Sequence, residues 1–200
     1  MSTSALKRYT VEEYLAFERN SNTKHEYYDG EIFAMTGASL AHNLVTGNIV
    51  TALNNLLRDR RCLVFPSDMR VYSPSGLYTY PDVSVICGPP EHQDERTDTV
   101  LNPLVLFEVA SPSTEAYDRG RKFGHYRSIP SLKEYVLVAQ DRPTIDHFAR
   151  QDGTDQWLMT SYSDLEQKLK LPAIDGELAL SDLFAKVEFP PEEPNETGTF

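Results

Sequence analysis

Apolar residues recur along the chain with two periods, and the change between them marks its organisation. Between Ser39 and Asp59, residues Leu40, Leu44, Ile49, Leu53, Leu56 and Leu57 return close to every 3.6 positions, and Ser39 is a good cap, so a long helix is predicted. A shorter helix is predicted from Thr10 to Arg19, where Thr10 can cap and Val11, Tyr14, Leu15 and Phe17 give a partly apolar face. Between the two, Glu26 to Phe33 reads as two strands about Asp29-Gly30, a pair that supplies the positive φ angles of a tight hairpin.

Beyond the long helix the pattern turns to sheet. Cys62 to Tyr72 and Tyr78 to Cys87 are rich in Val, Tyr and Ile and are separated by Ser73-Pro74-Ser75-Gly76. Leu104 to Val109 and Leu132 to Ala139 are nearly unbroken apolar runs, as in strands buried on both faces. Ser111 followed by Pro112 reads as a cap with proline at the first helical position, opening a helix expected to reach about Ile129. Strand, helix, strand implies a parallel crossover. Ile145 to Arg150 and Trp157 to Tyr162 read as antiparallel additions, with Leu178 and Leu180 ending the sheet and a last turn from Ser181 to Phe184. The expected class is α/β, or α+β by a strict count: a mixed sheet flanked by helices. No repeat of solenoid or propeller length is present.

Length and charge sharpen this. Two hundred residues fit one domain, expected at 1–187, followed by an acidic, proline-rich tail at 188–200 that holds Glu188, Glu192, Glu193 and Glu196 and no Lys or Arg. The net charge of −11 argues against broad electrostatic capture of nucleic acid, although a divalent metal and a local basic stripe can reverse the sign where it matters. Cys62 and Cys87 are too few for a disulfide scaffold and are expected to be small buried hydrophobes in a reducing compartment. With no apolar run of signal-peptide or membrane-spanning length, a cytoplasmic protein is expected. The G-x-S-x-G, P-loop, dinucleotide-binding and H-E-x-x-H motifs are all missing, which sets aside several large enzyme classes.

The chemical anomaly is Glu108, a carboxylate among Leu104, Val105, Leu106, Phe107, Val109 and Ala110. Buried unpaired, it would cost several kcal/mol, so it must reach a cation, a metal or a cleft. Asp82, between Pro81 and the apolar run from Val83 to Ile86, repeats the pattern. On neighbouring strands the two would converge on one hard cation such as Mg²⁺. On the following helix Asp118, Lys122 and Tyr126 are spaced by four and share a face, while Arg119, Arg121, Lys122 and Arg127 make a local positive patch. A lysine returning over the strand of Glu108 can orient an attacking water or stabilise developing phosphate charge. Arg70 is expected near this cleft, touching phosphate or pairing with Glu108; His42, one residue from the apolar stripe, reads as a packed histidine.

These residues carry a resemblance. Pro81-Asp82, Glu108-Val109-Ala110-Ser111-Pro112-Ser113, Asp118, Lys122, Tyr126 and Glu134-Tyr135, with Tyr9 to Tyr14 and His25 to Glu31 upstream, resemble the Uma-type restriction-endonuclease family of the PD-(D/E)xK nuclease superfamily over roughly residues 9–185. The resemblance implies a restriction-endonuclease-like mixed sheet and a metal-dependent nuclease using Mg²⁺ or Mn²⁺, acting on DNA, as a homodimer with one site per strand. It implies Asp82, Glu108 and Glu26 as metal ligands, with Asp82, Glu108 and Lys122 catalytic and Arg70, Arg119, Arg121 and Tyr126 at the substrate. One departure stands out: the position two after the acid is Ala110, so Lys122 must serve from the helix. That departure and the acidic balance keep open a second reading, a binding or regulatory module on a catalytically degenerate nuclease fold. A carboxylate-pair glycosidase comes last, since Trp157 is the single tryptophan.

Overall fold

The structure is a computed structural model that describes residues 7–190. Helix α1 (Val11–Glu18) begins as expected: Thr10 accepts a hydrogen bond from the Glu13 amide while the Glu13 side chain accepts one from the Thr10 amide, a closed capping box. Strands β1 (His25–Tyr28) and β2 (Glu31–Ala34) pair through a turn in which Asp29 and Gly30 both have positive φ. Helix α2 (Leu40–Leu56) is capped by the Ser39 hydroxyl. Its buried face is Val45, Ile49 and Leu53, continued by Leu57, whereas Leu40 is 78% exposed. The expected stripe is therefore kept at Ile49, Leu53 and Leu57 and departs at its start, where Val45 rather than Leu40 faces the core because sheet packing selects the face.

Each of the two long β segments is broken. Cys62 to Tyr72 becomes β3 (Cys62–Pro66) and β4 (Arg70–Tyr72); Tyr78 to Cys87 becomes β5 (Tyr78–Thr79) and β6 (Val83–Cys87). Turns after Pro66 and at Pro81 move the chain between two sheets. With β7 (Thr99–Val100), the first sheet runs β2-β1-β5-β4-β7. The second needs β8 (Val105–Ala110), β9 (Glu134–Ala139), β10 (Ile145–Arg150) and β11 (Trp157–Tyr162), and runs β11-β10-β9-β8-β6-β3. Strands β8 and β9 are parallel, as the crossover requires, and the other neighbours in that sheet are antiparallel. The crossover is shorter than expected and begins later. Hydrogen bonds between Ser111 and Thr114 close a turn first; then come α3 (Glu115–Tyr117), a π-helical turn (Asp118–Lys122) and α4 (Phe123–Tyr126). Strands β12 (Lys168–Leu171) and β13 (Gly176–Ala179) form a separate two-stranded sheet, so Leu178 does not end the main one; α5 (Leu180–Leu183) follows.

The six-stranded sheet is covered on both faces. Val105, Phe107 and Val109 pack toward α2 and α5, and Leu106 and Ala110 pack toward Tyr126 and Tyr135. Alternation along β8 therefore puts Glu108 on the face beneath α4. Cys62 and Cys87 are opposite each other in the β3–β6 ladder and form a disulfide. This corrects the reading of two unpaired buried cysteines: the partnership depends on register between strands 25 positions apart. Among the described residues no helix is long and apolar enough to cross a membrane. The expected acidic tail lies outside the described residues from 191 onward.

Arg70 anchors the other sheet. Its side chain is 2% exposed, donates to Thr99 and to the Tyr80 hydroxyl, and pairs with Asp98 at 3.0 Å. Asp98 also pairs with Arg19 at 2.7 Å, and this hydrogen bond, with the charge of Arg70, holds its pKa down at about 2 despite partial burial. An aspartate held below its unfolded value of ~3.9 stabilises the fold fully above that value and loses the contribution as pH falls through the folded one. Asp98→Asn is therefore expected to flatten the loss of stability between roughly pH 4 and pH 2, which denaturation series across that range would read.

Candidate active site

The ladder between β6 and β8 sets the site. Val83 faces Phe107 in antiparallel register, so continuing by one residue brings Asp82 beside Glu108. Asp82 is fixed at both oxygens: Oδ2 accepts from the Val109 amide at 2.7 Å, and Oδ1 lies 3.1 Å from His42 Nε2. Glu108 is buried, and its Oε1 accepts from the Tyr126 hydroxyl at 2.5 Å and pairs with Lys122 Nζ at 2.8 Å. The Lys122 ammonium also lies 3.3 Å from Glu26 Oε1 and 3.9 Å from Asp118 Oδ1. Glu26 enters from β1 and accepts a hydrogen bond from Thr79. The π-helical turn widens the crossover where Asp118 and Lys122 point inward; such insertions in helices recur at functional sites.

These groups line a cleft of about 500 Å³ that Glu26, His42, Asp82, Glu108, Asp118 and Lys122 share. Four carboxylates meet one ammonium there. Burial pushes the Glu108 carboxyl up to about 8; Lys122 opposes this, and the charges of Asp82 and Asp118 add to it. Asp118 is raised by burial, again against Lys122, with Asp82 and Glu26 adding to the rise. Burial disfavours the Lys122 charge, yet Glu108, Tyr126, Glu26 and Asp118 hold the amine protonated. Among the described residues no three His, Cys, Asp or Glu side chains are gathered tightly enough to enclose a metal ion by themselves. The donor set nevertheless fits a hard divalent cation. Mg²⁺ takes one or two carboxylates with waters and substrate oxygens rather than an all-protein cage, and these carboxylates repel one another for want of positive charge.

Not every expected residue reaches the cleft. Arg70 is committed to Thr99, Tyr80 and Asp98 in the other sheet and does not pair with Glu108. Arg119 is tied to Glu115 and Asp146. Arg121 is exposed, with its guanidinium 5.7 Å over the ring of Tyr28. Tyr126 is 0% exposed and is a hydrogen-bond donor to Glu108, out of reach of a substrate. His42 is the residue that sequence reasoning set aside and the cleft contains. A signal existed: His42, Val45, Ile49 and Leu53 follow helical spacing, so the histidine extends the stripe that is buried.

The architecture is an α+β fold of mixed sheets flanked by helices. The same fold is seen in the crystal structure of a "putative nuclease belonging to DUF820" from Anabaena variabilis ATCC 29413, with TM-score 0.73 and 18% identity over 88% of this chain and 97% of that one. The chain belongs to the Uma2 family, described as "Putative restriction endonuclease", which it matches over residues 11–182. Two uncharacterized proteins of Synechocystis sp. (strain ATCC 27184 / PCC 6803 / Kazusa) are similar to it. One, slr1290, is 37% identical, covering 89% of this chain and 92% of its own; the other, sll1609, is 39% identical, covering 80% and 90%.

Proposed function

We propose that the chain is a divalent-cation-dependent nuclease that hydrolyses phosphodiester bonds in DNA. The observation that carries this reading is the convergence of Asp82 and Glu108, from adjacent strands, on one cleft with the Lys122 ammonium 2.8 Å from Glu108. Asp82 and Glu108 would hold the cation, Mg²⁺ or Mn²⁺, with Glu26 alongside. When bound, the cation polarises the phosphoryl group and makes its water more acidic.

The chain's own groups do the rest. Val109 and His42 fix the Asp82 carboxylate, so it needs no reorganisation. Tyr126 orients Glu108 from the dry side. Lys122 presents positive charge where the phosphorane develops and steers the attacking water. The water oxygen bonds to phosphorus as the bond to the leaving ester oxygen breaks, and a water proton passes to that oxygen through solvent. A homodimer belongs to this proposal as well, closed two-fold pairs being the commonest assembly, and sedimentation gives the mass directly. Asp82→Ala is expected to abolish nicking of supercoiled DNA in Mg²⁺ or Mn²⁺ with an unchanged circular-dichroism spectrum. Wild type that never cuts DNA or RNA across a panel of divalent metals would overturn the reading in favour of the degenerate module.

A further inference from the structure

Two aromatic side chains stand open to water at the mouth of the cleft. Phe33 of β2 is 46% exposed and Tyr117 of α3 is 40% exposed, and both line it. Among the described residues Phe17 is the one other aromatic among the exposed large hydrophobics, so most of that open aromatic surface is gathered here. Tyr117 lies within the field of the reactive cluster: burial and the charge of Glu26 both raise its phenol pKa.

The charges around the cleft point the same way. Lys122 is the one Lys or Arg among its lining residues, and Glu26 and Glu108 already engage it. Beside the cleft, Arg119 and Arg142 are bound to Glu115, and respectively to Asp146 and Asp141, whereas Arg121 is exposed with its guanidinium over the ring of Tyr28. A duplex carries about one charge per 1.7 Å and is held by a row of cations along its backbone. Single strands also draw on backbone cations, but they add the stacking of unpaired bases on aromatic side chains, which a paired helix cannot supply, and this mouth offers two such surfaces. Its volume of about 500 Å³ is that of a site for one ligand of roughly nucleotide size.

We propose that the cleft takes unpaired nucleotides, whose bases stack on Phe33 and Tyr117 while the adjoining phosphodiester sits at Asp82 and Glu108. The substrate class is single-stranded nucleic acid, at a free strand, a fork or a loop, in preference to intact duplex. This inference rests on reading the cleft as a phosphodiester-hydrolysing centre.

The test measures binding and cutting separately. Fluorescence anisotropy in calcium compares a labelled single strand of roughly 12 nucleotides, its RNA counterpart and a closed hairpin duplex. The proteins are wild type, Phe33→Ala, Tyr117→Ala, the double variant, and Phe17→Ala as a control at an exposed aromatic that does not line the cleft. Wild type is expected to prefer the single strands; each cleft substitution weakens them about tenfold, and the pair more, with duplex affinity and the control unchanged. The DNA and RNA arms show which backbone is favoured. Equal or tighter duplex binding, or single-strand binding indifferent to Phe33 and Tyr117, overturns the proposal. The same substrates are then followed on a gel in Mg²⁺. Preferential cutting of duplex sinks the single-strand inference and leaves the nuclease, whereas a single strand bound through both aromatics but never cut sinks the nuclease and leaves the binding mode.

Discussion

Glu108→Gln is expected to lower the rate of phosphodiester hydrolysis by about 10³-fold, the loss typical of removing one preorganised charge from a reacting centre. The fold is expected to survive, for reasons visible around the side chain. Glutamine keeps an oxygen for the Tyr126 hydroxyl. Lys122 is not orphaned, because Glu26 and Asp118 remain 3.3 and 3.9 Å from its ammonium. Glu108 also carries its charge at a cost, its carboxyl being pushed up to about 8 by burial and by neighbouring acids, so an uncharged isostere relieves repulsion. Lost activity with an undiminished melting temperature is the expected signature. A residue that served only to hold the sheet together would instead give a lower melting temperature, with activity falling only as far as folding does.

Lys122→Met should show the opposite balance. The ammonium is buried and is the single Lys or Arg lining the cleft among the described residues, so its loss leaves Glu26, Glu108 and Asp118 facing one another without a counterion. Removing one partner from a buried ionic cluster costs about 3–5 kcal/mol. Urea denaturation of the metal-free protein is expected to show a loss of that order together with lost hydrolysis. Two further measurements separate charge from packing. Adding Glu108→Gln should return part of the stability, a coupling of about 1–3 kcal/mol in the double-mutant cycle. Mg²⁺ should raise the melting temperature of Lys122→Met more than that of wild type. A cycle with no coupling would mean that the lysine contributes through its methylenes alone.

Local chemistry was legible in the sequence, and pairing across distance was not. The Asp29-Gly30 hairpin and the Thr10 cap could be read because a few adjacent residues dictate them. Strands β8 and β9 could be read because runs buried on both faces have no polar alternation. The side chains that share the cleft were visible for a related reason: Asp82 and Glu108 are carboxylates in apolar surroundings, and Asp118 and Lys122 keep their common face through the π-helical turn. What the sequence concealed was decided by register and sheet choice. The Cys62–Cys87 bond depends on which residues of β3 and β6 lie opposite. Arg70 went to the other sheet because the chain turns between Pro66 and Arg70, a break that Val and Tyr content cannot reveal. His42 was passed over because the first turns of α2 were read on Leu40 and Leu44, whereas Val45 continues the buried face there.

Whether Asp82 and Glu108 hold one divalent cation between them, as we propose, is decided by calorimetric titration of the purified chain with Mg²⁺ and Mn²⁺. Wild type is expected to bind a single ion per chain, with Asp82→Asn and Glu108→Gln each weakening that binding while remaining folded. Wild type that takes up no ion, or variants that bind it as tightly as wild type, would contradict the account.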